Sequence, residues 1–412
     1  MYFIYSLLTN IIVLVSPIIL IYRLFIGKED PKRFKEKFCL YKGTNNSKSI
    51  WFHAASVGEM MSIIPVIKKL EKNKNIQKII LTTTTVSSAK IFEKQNFKKT
   101  THKYFPLDVN LLNKKFINFW KPKIAVFVDS EIWPNMFKNL EKNKIPIIIL
   151  NARITKKSFN NWKLFNNFAK EVFNKITLAL PQNSETKKFL YILGVKNIKT
   201  AGNIKFYGKS TVNKKQNLLL RKKFKKFKVW CAASTHNGEE LLISKLHKKI
   251  KKFKKNLLTI IIPRHVNRSE KIINEIKKLD LKIITHSSNK KLNQNTDIYL
   301  VDTYGEVSKF FNLSNIAFLG GSIVKRGGQN PLEPARFGNY IINGPHIFNF
   351  TEIYAFLREN NISQTCSNIE KMKKEILKRL NNGISYKKKQ KIFSIGDKIL
   401  NKNVSYLTKY IV

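Results

Sequence analysis

Along almost the whole chain, short runs of Ile and Val alternate with longer Lys-studded segments of helical period, and this alternation restricts the fold more than any other feature. Strands buried on both faces read as continuous apolar runs. Parallel strands need crossovers, and the crossover helices cover the sheet. The pattern predicts strands at Ser49 to His53, Lys78 to Thr82, Ile124 to Asp129, Pro146 to Asn151 and Ile176 to Ala179. Helices are expected between them, at Met60 to Glu71, Ser87 to Gln95, Trp133 to Glu141 and Thr186 to Leu193. The pattern lapses into a polar Lys- and Asn-rich stretch from Phe206 to Lys228. It then resumes with strands at Val229 to Ala233, Leu257 to Ile262, Lys282 to Thr285, Ile298 to Val301, Ile316 to Leu319 and Tyr340 to Ile342. Two α/β halves joined by one linker imply a cleft between them, where ligands usually sit.

The first 22 residues carry no charged side chain, and the stretch from Phe3 through Ile26 is long and apolar enough to cross a hydrocarbon core of about 30 Å. No Lys or Arg precedes it, so it reads as a retained membrane anchor rather than a cleaved signal. Arg23, Lys28, Lys32, Arg33, Lys35 and Lys37 follow, the excess that marks a cytoplasmic flank. Because Asn10, Ser16 and Pro17 interrupt the run, a helix lying in the interface is the alternative to a spanning one. The expected division is therefore an anchor over 1–27, an N-terminal Rossmann-like domain over 28–206, a linker over 207–228 and a C-terminal Rossmann-like domain over 229–412. The last helix is the element with the option of returning to the N-terminal domain.

Charge and cysteines add less. Lys and Arg number 77 against 26 Asp and Glu, a net charge of +51 that attracts polyanions, whether anionic lipid or nucleic acid. The excess is spread evenly, and no aromatic-basic interleaving marks a dedicated nucleic-acid site. Cys39, Cys231 and Cys366 lie far apart and form neither a zinc motif nor a disulfide framework.

The chemistry-bearing segments share one placement, directly after an expected strand. In Trp51-Phe52-His53-Ala54-Ala55-Ser56-Val57-Gly58-Glu59, the Ser56 and Glu59 spacing fits a capping box, and Glu59 at a strand end is also a candidate general base. Asp129-Ser130-Glu131-Ile132-Trp133-Pro134-Asn135 ends a strand in two carboxylates before a proline-opened helix. Asn151-Ala152-Arg153 and Ala201-Gly202-Asn203-Ile204-Lys205-Phe206 supply cations. In the second half, Ala232 through Glu240 offers small residues at a helix start, and Pro263-Arg264-His265 offers a bidentate phosphate donor. Asp302-Thr303-Tyr304-Gly305-Glu306 precedes a helix. Gly320-Gly321-Ser322 and Gly327-Gly328-Gln329-Asn330-Pro331-Leu332-Glu333-Pro334 allow close approach to a phosphate or nucleoside, with Glu333 able to accept ribose hydroxyls. Neither a Walker motif nor G-x-G-x-x-G is present.

Taken in order, these segments resemble the bacterial 3-deoxy-D-manno-octulosonic acid (Kdo) transferases, over nearly the whole chain. The resemblance implies the two-domain GT-B fold. It also implies inverting transfer of Kdo from CMP-Kdo to the lipid A precursor at the cytoplasmic side of the inner membrane, without cofactor or metal. By the same resemblance Glu59 is the base, while Glu131 and Lys205 stabilise the transition state. Pro263, Arg264, Tyr304, Gly305, Glu306, Asn330, Pro331, Leu332 and Glu333 match the CMP-binding segments. The absence of a D-x-D motif agrees with a metal-free mechanism. The chain departs from the family pattern at Asp129, where Glu is usual, at Tyr304, where a smaller side chain is usual, and at Gln329, often His. The competing expectations are a GT-B cell-envelope glycosyltransferase or epimerase using a UDP-sugar and, from another class, a membrane-tethered nucleic-acid-binding protein. The leading reading has no nucleic-acid partner; its partners are CMP-Kdo, the lipid A precursor and anionic inner-membrane lipids.

Overall fold

The computed structural model describes residues 1–41, 43, 48–208, 214–382 and 385–411, which divide into two compact units. One comprises Met1–Tyr207 together with Gly396–Val412, the other Gly208–Ile395. The helix Tyr386–Thr408 therefore begins in the second unit and ends in the first. The polar stretch after Phe206 contains a helix at Lys214–Phe224.

The first unit is built on a six-stranded parallel sheet. Its strands are β1 Ser49–His53, β2 Ile79–Thr83, β3 Thr100–Tyr104, β4 Pro122–Val128, β5 Ile147–Ala152 and β6 Leu178–Pro181. They lie in the order β3-β2-β1-β4-β5-β6, so the winding direction reverses between β1 and β4. Side chains alternate across the sheet: Trp51 packs on one face with Phe116, Phe127 and Phe137, and Phe52 on the other with Ile63, Ile67 and Leu81. Leu400, Val404 and Leu407 complete the second face, each burial contributing about 1.5–3 kcal/mol. Strand β3 lies outside the strands expected from the sequence. It is an edge strand, TTHKY, whose apolar content is too low to stand out.

The second unit holds a seven-stranded parallel sheet of β7 Lys228–Thr235, β8 Leu257–Pro263, β9 Ile283–Thr285, β10 Ile298–Leu300, β11 Ile316–Leu319, β12 Tyr340–Asn343 and β13 Ser363–Thr365. The order β13-β12-β11-β7-β8-β10-β9 reverses between β7 and β11. Each unit is thus a doubly wound α/β layer, and the pair has the GT-B architecture. In such sheets ligands bind beyond the carboxyl ends of the strands at the reversal point.

The N-terminal helix Tyr2–Phe25 has one end fastened to the first unit. Tyr2 is buried edge-on to Phe168, and the Tyr5 hydroxyl donates to Asp108 Oδ2 at 2.9 Å. Ser6 Oγ donates to Asn135 Oδ1 at 2.7 Å, while Asn135 Nδ2 donates to Thr9 Oγ1 at 3.0 Å. Asp108 is itself buried and also accepts from the backbone N–H of Met136 at 2.8 Å. At the other end, Arg23 pairs with Glu29, which accepts from buried Lys37. Between these ends the helix exposes Ile11, Leu14, Ile18, Ile21 and Phe25.

Candidate functional site

In the first unit the reversal between β1 and β4 brings together the carboxylates singled out in the sequence. β1 ends at His53, and the chain then enters the helix Val57–Leu70 through Ser56, whose extended backbone makes it the N-cap. Glu59 closes the capping box. Its Oε2 accepts from the Ala55 N–H at 2.8 Å, and its Oε1 from Ser56 Oγ at 2.8 Å. The structural and chemical readings of this spacing are therefore compatible: the cap fixes a half-buried carboxylate at the strand end. Burial raises its pKa above the ordinary carboxylate value. The Ser56 and Ala55 hydrogen bonds oppose the rise, whereas the charges of Glu131 and Asp129 add to it.

Across the reversal, β4 ends at Val128, and Asp129 follows in the left-handed region at φ 62°. Asp129 is buried, and burial raises its pKa against the opposing pull of Lys205 and Arg153. Lys205 Nζ lies 3.4 Å from Asp129 Oδ2. Two asparagines set the short 3-10 turn that carries this lysine: Asn151 Oδ1 accepts from Ile204 N at 3.0 Å, and Asn203 Oδ1 from Lys205 N at 2.9 Å. Glu131 Oε2 accepts from Trp133 Nε1 at 2.9 Å and lies 3.2 Å from His53 Nε2. The three residues expected to carry the chemistry, Glu59, Glu131 and Lys205, thus share one end of one sheet.

Other parts of these motifs serve packing. Asn135 fastens the N-terminal helix, and a Cβ at Gly202 would sit 2.9 Å from Ile399 Cγ1 of the C-terminal helix.

In the second unit, Pro263 ends β8 and Arg264 follows it, Tyr304 to Glu306 follow β10, and Gly320 follows β11, so all lie at the carboxyl ends of the strands. Ser308 Oγ donates to Glu333 Oε1 at 2.6 Å, joining the 304–306 segment to the 330–333 segment. Arg264, Tyr304, Gly305, Asn330 and Glu333 are exposed, whereas Pro263, Pro331 and Leu332 are buried and shape the surface from beneath. Glu306 is held by Lys309 at 2.6 Å.

One expectation needs revision. The N–H groups of the Gly320-Gly321-Ser322 loop are not offered to a phosphate, because the fully buried Glu239 occupies them. Its Oε2 accepts from Gly321 N at 2.8 Å and His236 N at 2.9 Å, and its Oε1 from Ser322 N at 3.2 Å, Ile323 N at 3.0 Å and Val324 N at 3.4 Å. The protein's own carboxylate fills the concavity that a ligand anion would use. Gly320 backs directly onto β7, where a Cβ would lie 2.3 Å from Ser234 O. Gly320→Ala must therefore move backbone. A melting scan should show destabilisation on the order of 1–3 kcal/mol or more; an unchanged transition would contradict this packing. Among the described residues, no three His, Cys, Asp or Glu side chains gather as metal ligands.

Residues 32–207 match the family model described as 3-deoxy-D-manno-octulosonic-acid transferase (kdotransferase). A 3-deoxy-D-manno-octulosonic acid transferase of Rickettsia bellii is 33% identical, over 98% of this chain and 99% of its own. One of Haemophilus influenzae is 31% identical over 96% and 94%. Among solved structures, a UDP-GlcNAc 2-epimerase of Neisseria meningitidis bound to UDP-GlcNAc covers 88% of this chain and 99% of its own. Its TM-score is 0.57 at 12% identity, a likeness of fold alone.

Proposed function

The chain belongs to the 3-deoxy-D-manno-octulosonic acid transferase family, and from that premise we propose that it transfers Kdo with inversion from CMP-Kdo to a hydroxyl of the lipid A precursor, with Glu59 as general base. The observation that carries this reading is the capped Glu59 carboxylate at the sheet reversal beside Glu131, Asp129 and Lys205. The acceptor hydroxyl attacks the anomeric carbon of Kdo, its proton passes to Glu59, and the bond to the CMP phosphate breaks so that CMP leaves as an anion. A raised pKa suits a base that must take a proton near neutral pH. Lys205 and Glu131 stabilise charge as it develops on the first unit's side, in a preorganised site where no reorganisation is needed at the moment of reaction.

The donor's nucleotide is assigned to the second unit. Arg264 offers its guanidinium to the phosphate, Glu333 and Asn330 offer polar contacts to the ribose, and Tyr304, Gly305 and Glu306 form the adjoining wall. Pro263, Pro331 and Leu332 support these segments from below. The N-terminal helix supports a location at the inner membrane with both units on the cytoplasmic side. Because its first turns are fastened to the same unit as the residues that follow it, the helix is assigned to the interface, its apolar side chains in lipid and Arg23 and Lys28 near anionic headgroups. Replacing Leu14 and Ile18 with Asn should then reduce co-flotation with anionic phospholipid vesicles severalfold; unchanged flotation would count against that role.

The reading is tested by incubating the protein with CMP-Kdo and a tetra-acylated lipid A precursor. The expected result is one CMP released per Kdo transferred to the lipid, with no turnover of UDP-sugars. Turnover of a UDP-sugar without CMP-Kdo activity would overturn it.

A further inference from the structure

Beside the strand ends of the first unit lies a recess, open to solvent, with about 280 Å³ of empty volume. Sites that enclose a whole small molecule hold about 300–1,000 Å³, so this one takes part of a larger ligand. Its lining is of two kinds. Ile154 and Leu190 are buried and, with half-buried Trp162, make an apolar back. Asp129 after β4, Arg153 after β5 and Ser158 in the helix Lys156–Leu164 supply polar groups. Lys205 pairs with Asp129 at 3.4 Å and offsets its charge. The half-buried Arg153 guanidinium pulls on Asp129 from a longer range and has no hydrogen bond or ion pair among the described residues. The recess thus sets one uncommitted cation beside an apolar lining. Trp162 also connects it to the seat of the N-terminal helix: its ring packs on Phe168 at 6.2 Å between centroids, and Phe168 holds Tyr2 at 5.1 Å and Tyr5 at 6.0 Å. Leu164 and Phe165, just after Trp162 in the chain, are exposed. Apolar groups therefore run from the lipid-facing helix to the strand ends that carry Asp129 and Glu131.

We propose that the recess is a subsite for the lipid acceptor, in which Arg153 binds a phosphate of the acceptor and the apolar lining holds the first methylenes of one of its acyl chains. The proposal rests on the reading of the acceptor as a phosphorylated, acylated sugar. A guanidinium matches a phosphate with two parallel N–H donors, and the Ser158 hydroxyl can add a third. Methylenes against Ile154, Trp162 and Leu190 leave water, which favours the bound state. Both contacts lie beside Asp129, so they spend binding energy from remote parts of the acceptor on bringing its sugar hydroxyl to the end of the sheet where Glu59 stands.

The test compares acceptors within each variant, in detergent micelles, so that membrane attachment plays no part. Arg153→Gln should lower the preference for phosphorylated over dephosphorylated acceptor, read as a ratio of kcat/KM values, by about 10- to 100-fold, the factor of hydrogen bonds to a charged group. Ser158→Leu fills the recess without removing a packed side chain, and should lower the preference for acylated over deacylated acceptor about tenfold. Each ratio is taken within one variant, so the pull of Arg153 on Asp129 and any loss of folded protein cancel. Ratios equal to those of wild type overturn the proposal. Equilibrium binding of the same acceptors without donor should show the same losses. Co-flotation of Arg153→Gln with anionic phospholipid vesicles that lack the acceptor should match wild type; a parallel fall would assign Arg153 to membrane phospholipid and overturn the proposal. If wild type forms no Kdo-bearing lipid, the proposed function fails and the binding measurement alone decides the recess. If it forms that lipid and both variants keep the wild-type ratios, only the present inference fails.

Discussion

Glu59→Gln should lower kcat for Kdo transfer by about 10²–10⁴-fold while leaving donor binding and the melting temperature nearly unchanged. The amide has almost the shape of the carboxylate, and its oxygen can still accept from Ala55 N–H, so the helix start at Ser56 is preserved. What disappears is the capacity to take a proton. A capping role alone predicts another pattern, because losing a cap costs about 1 kcal/mol of stability without touching the chemical step. The two are separated by measuring single-turnover transfer, CMP-Kdo affinity and thermal unfolding on the same preparation. Full turnover in the variant would remove Glu59 from the chemistry.

The second large effect is on stability. Glu239→Ala should destabilise the second unit by on the order of 3–5 kcal/mol, because it strands the buried N–H groups of Gly321 and Ser322 and the partly buried ones of Ile323 and His236 that the carboxylate now satisfies. For a unit of this size each kcal/mol shifts the melting temperature by roughly 2–4 °C, so the expected fall is about 6–20 °C. Glu239→Gln keeps one acceptor oxygen and should lie between. An unchanged transition in Glu239→Ala would show that the loop finds other partners.

The doubly wound layers were legible in the sequence because nearly every strand is a compact apolar run, such as Ile147 to Leu150 or Leu258 to Ile262, buried on both faces. The edge strands β3 and β13 were not. Thr100–Tyr104 and Ser363–Thr365 are short and polar, and they are strands because a neighbour's ladder captures them. The site was half legible. Glu59, Glu131 and Lys205 stand out as charges after strands, and the fold places them together. His53, Asn151 and Glu239 carry no such signal, because their roles depend on partners far away in the chain: Glu131 is 78 residues from His53, and the glycine loop more than 80 from Glu239. Asn135, inside a motif that draws attention to catalysis, instead fastens the N-terminal helix.

In the proposed mechanism a single carboxylate, lifted in pKa by burial, takes the proton of the acceptor hydroxyl. The measurement that tests it most directly is the single-turnover rate of Kdo transfer as a function of pH, in wild type and in Glu59→Gln. Deprotonation activates the base, so the wild-type rate should rise with pH along a one-proton limb centred above the ordinary carboxylate range. The residual rate of the variant should lack that limb. A limb that persists in Glu59→Gln, or a wild-type rate independent of pH, would contradict the account.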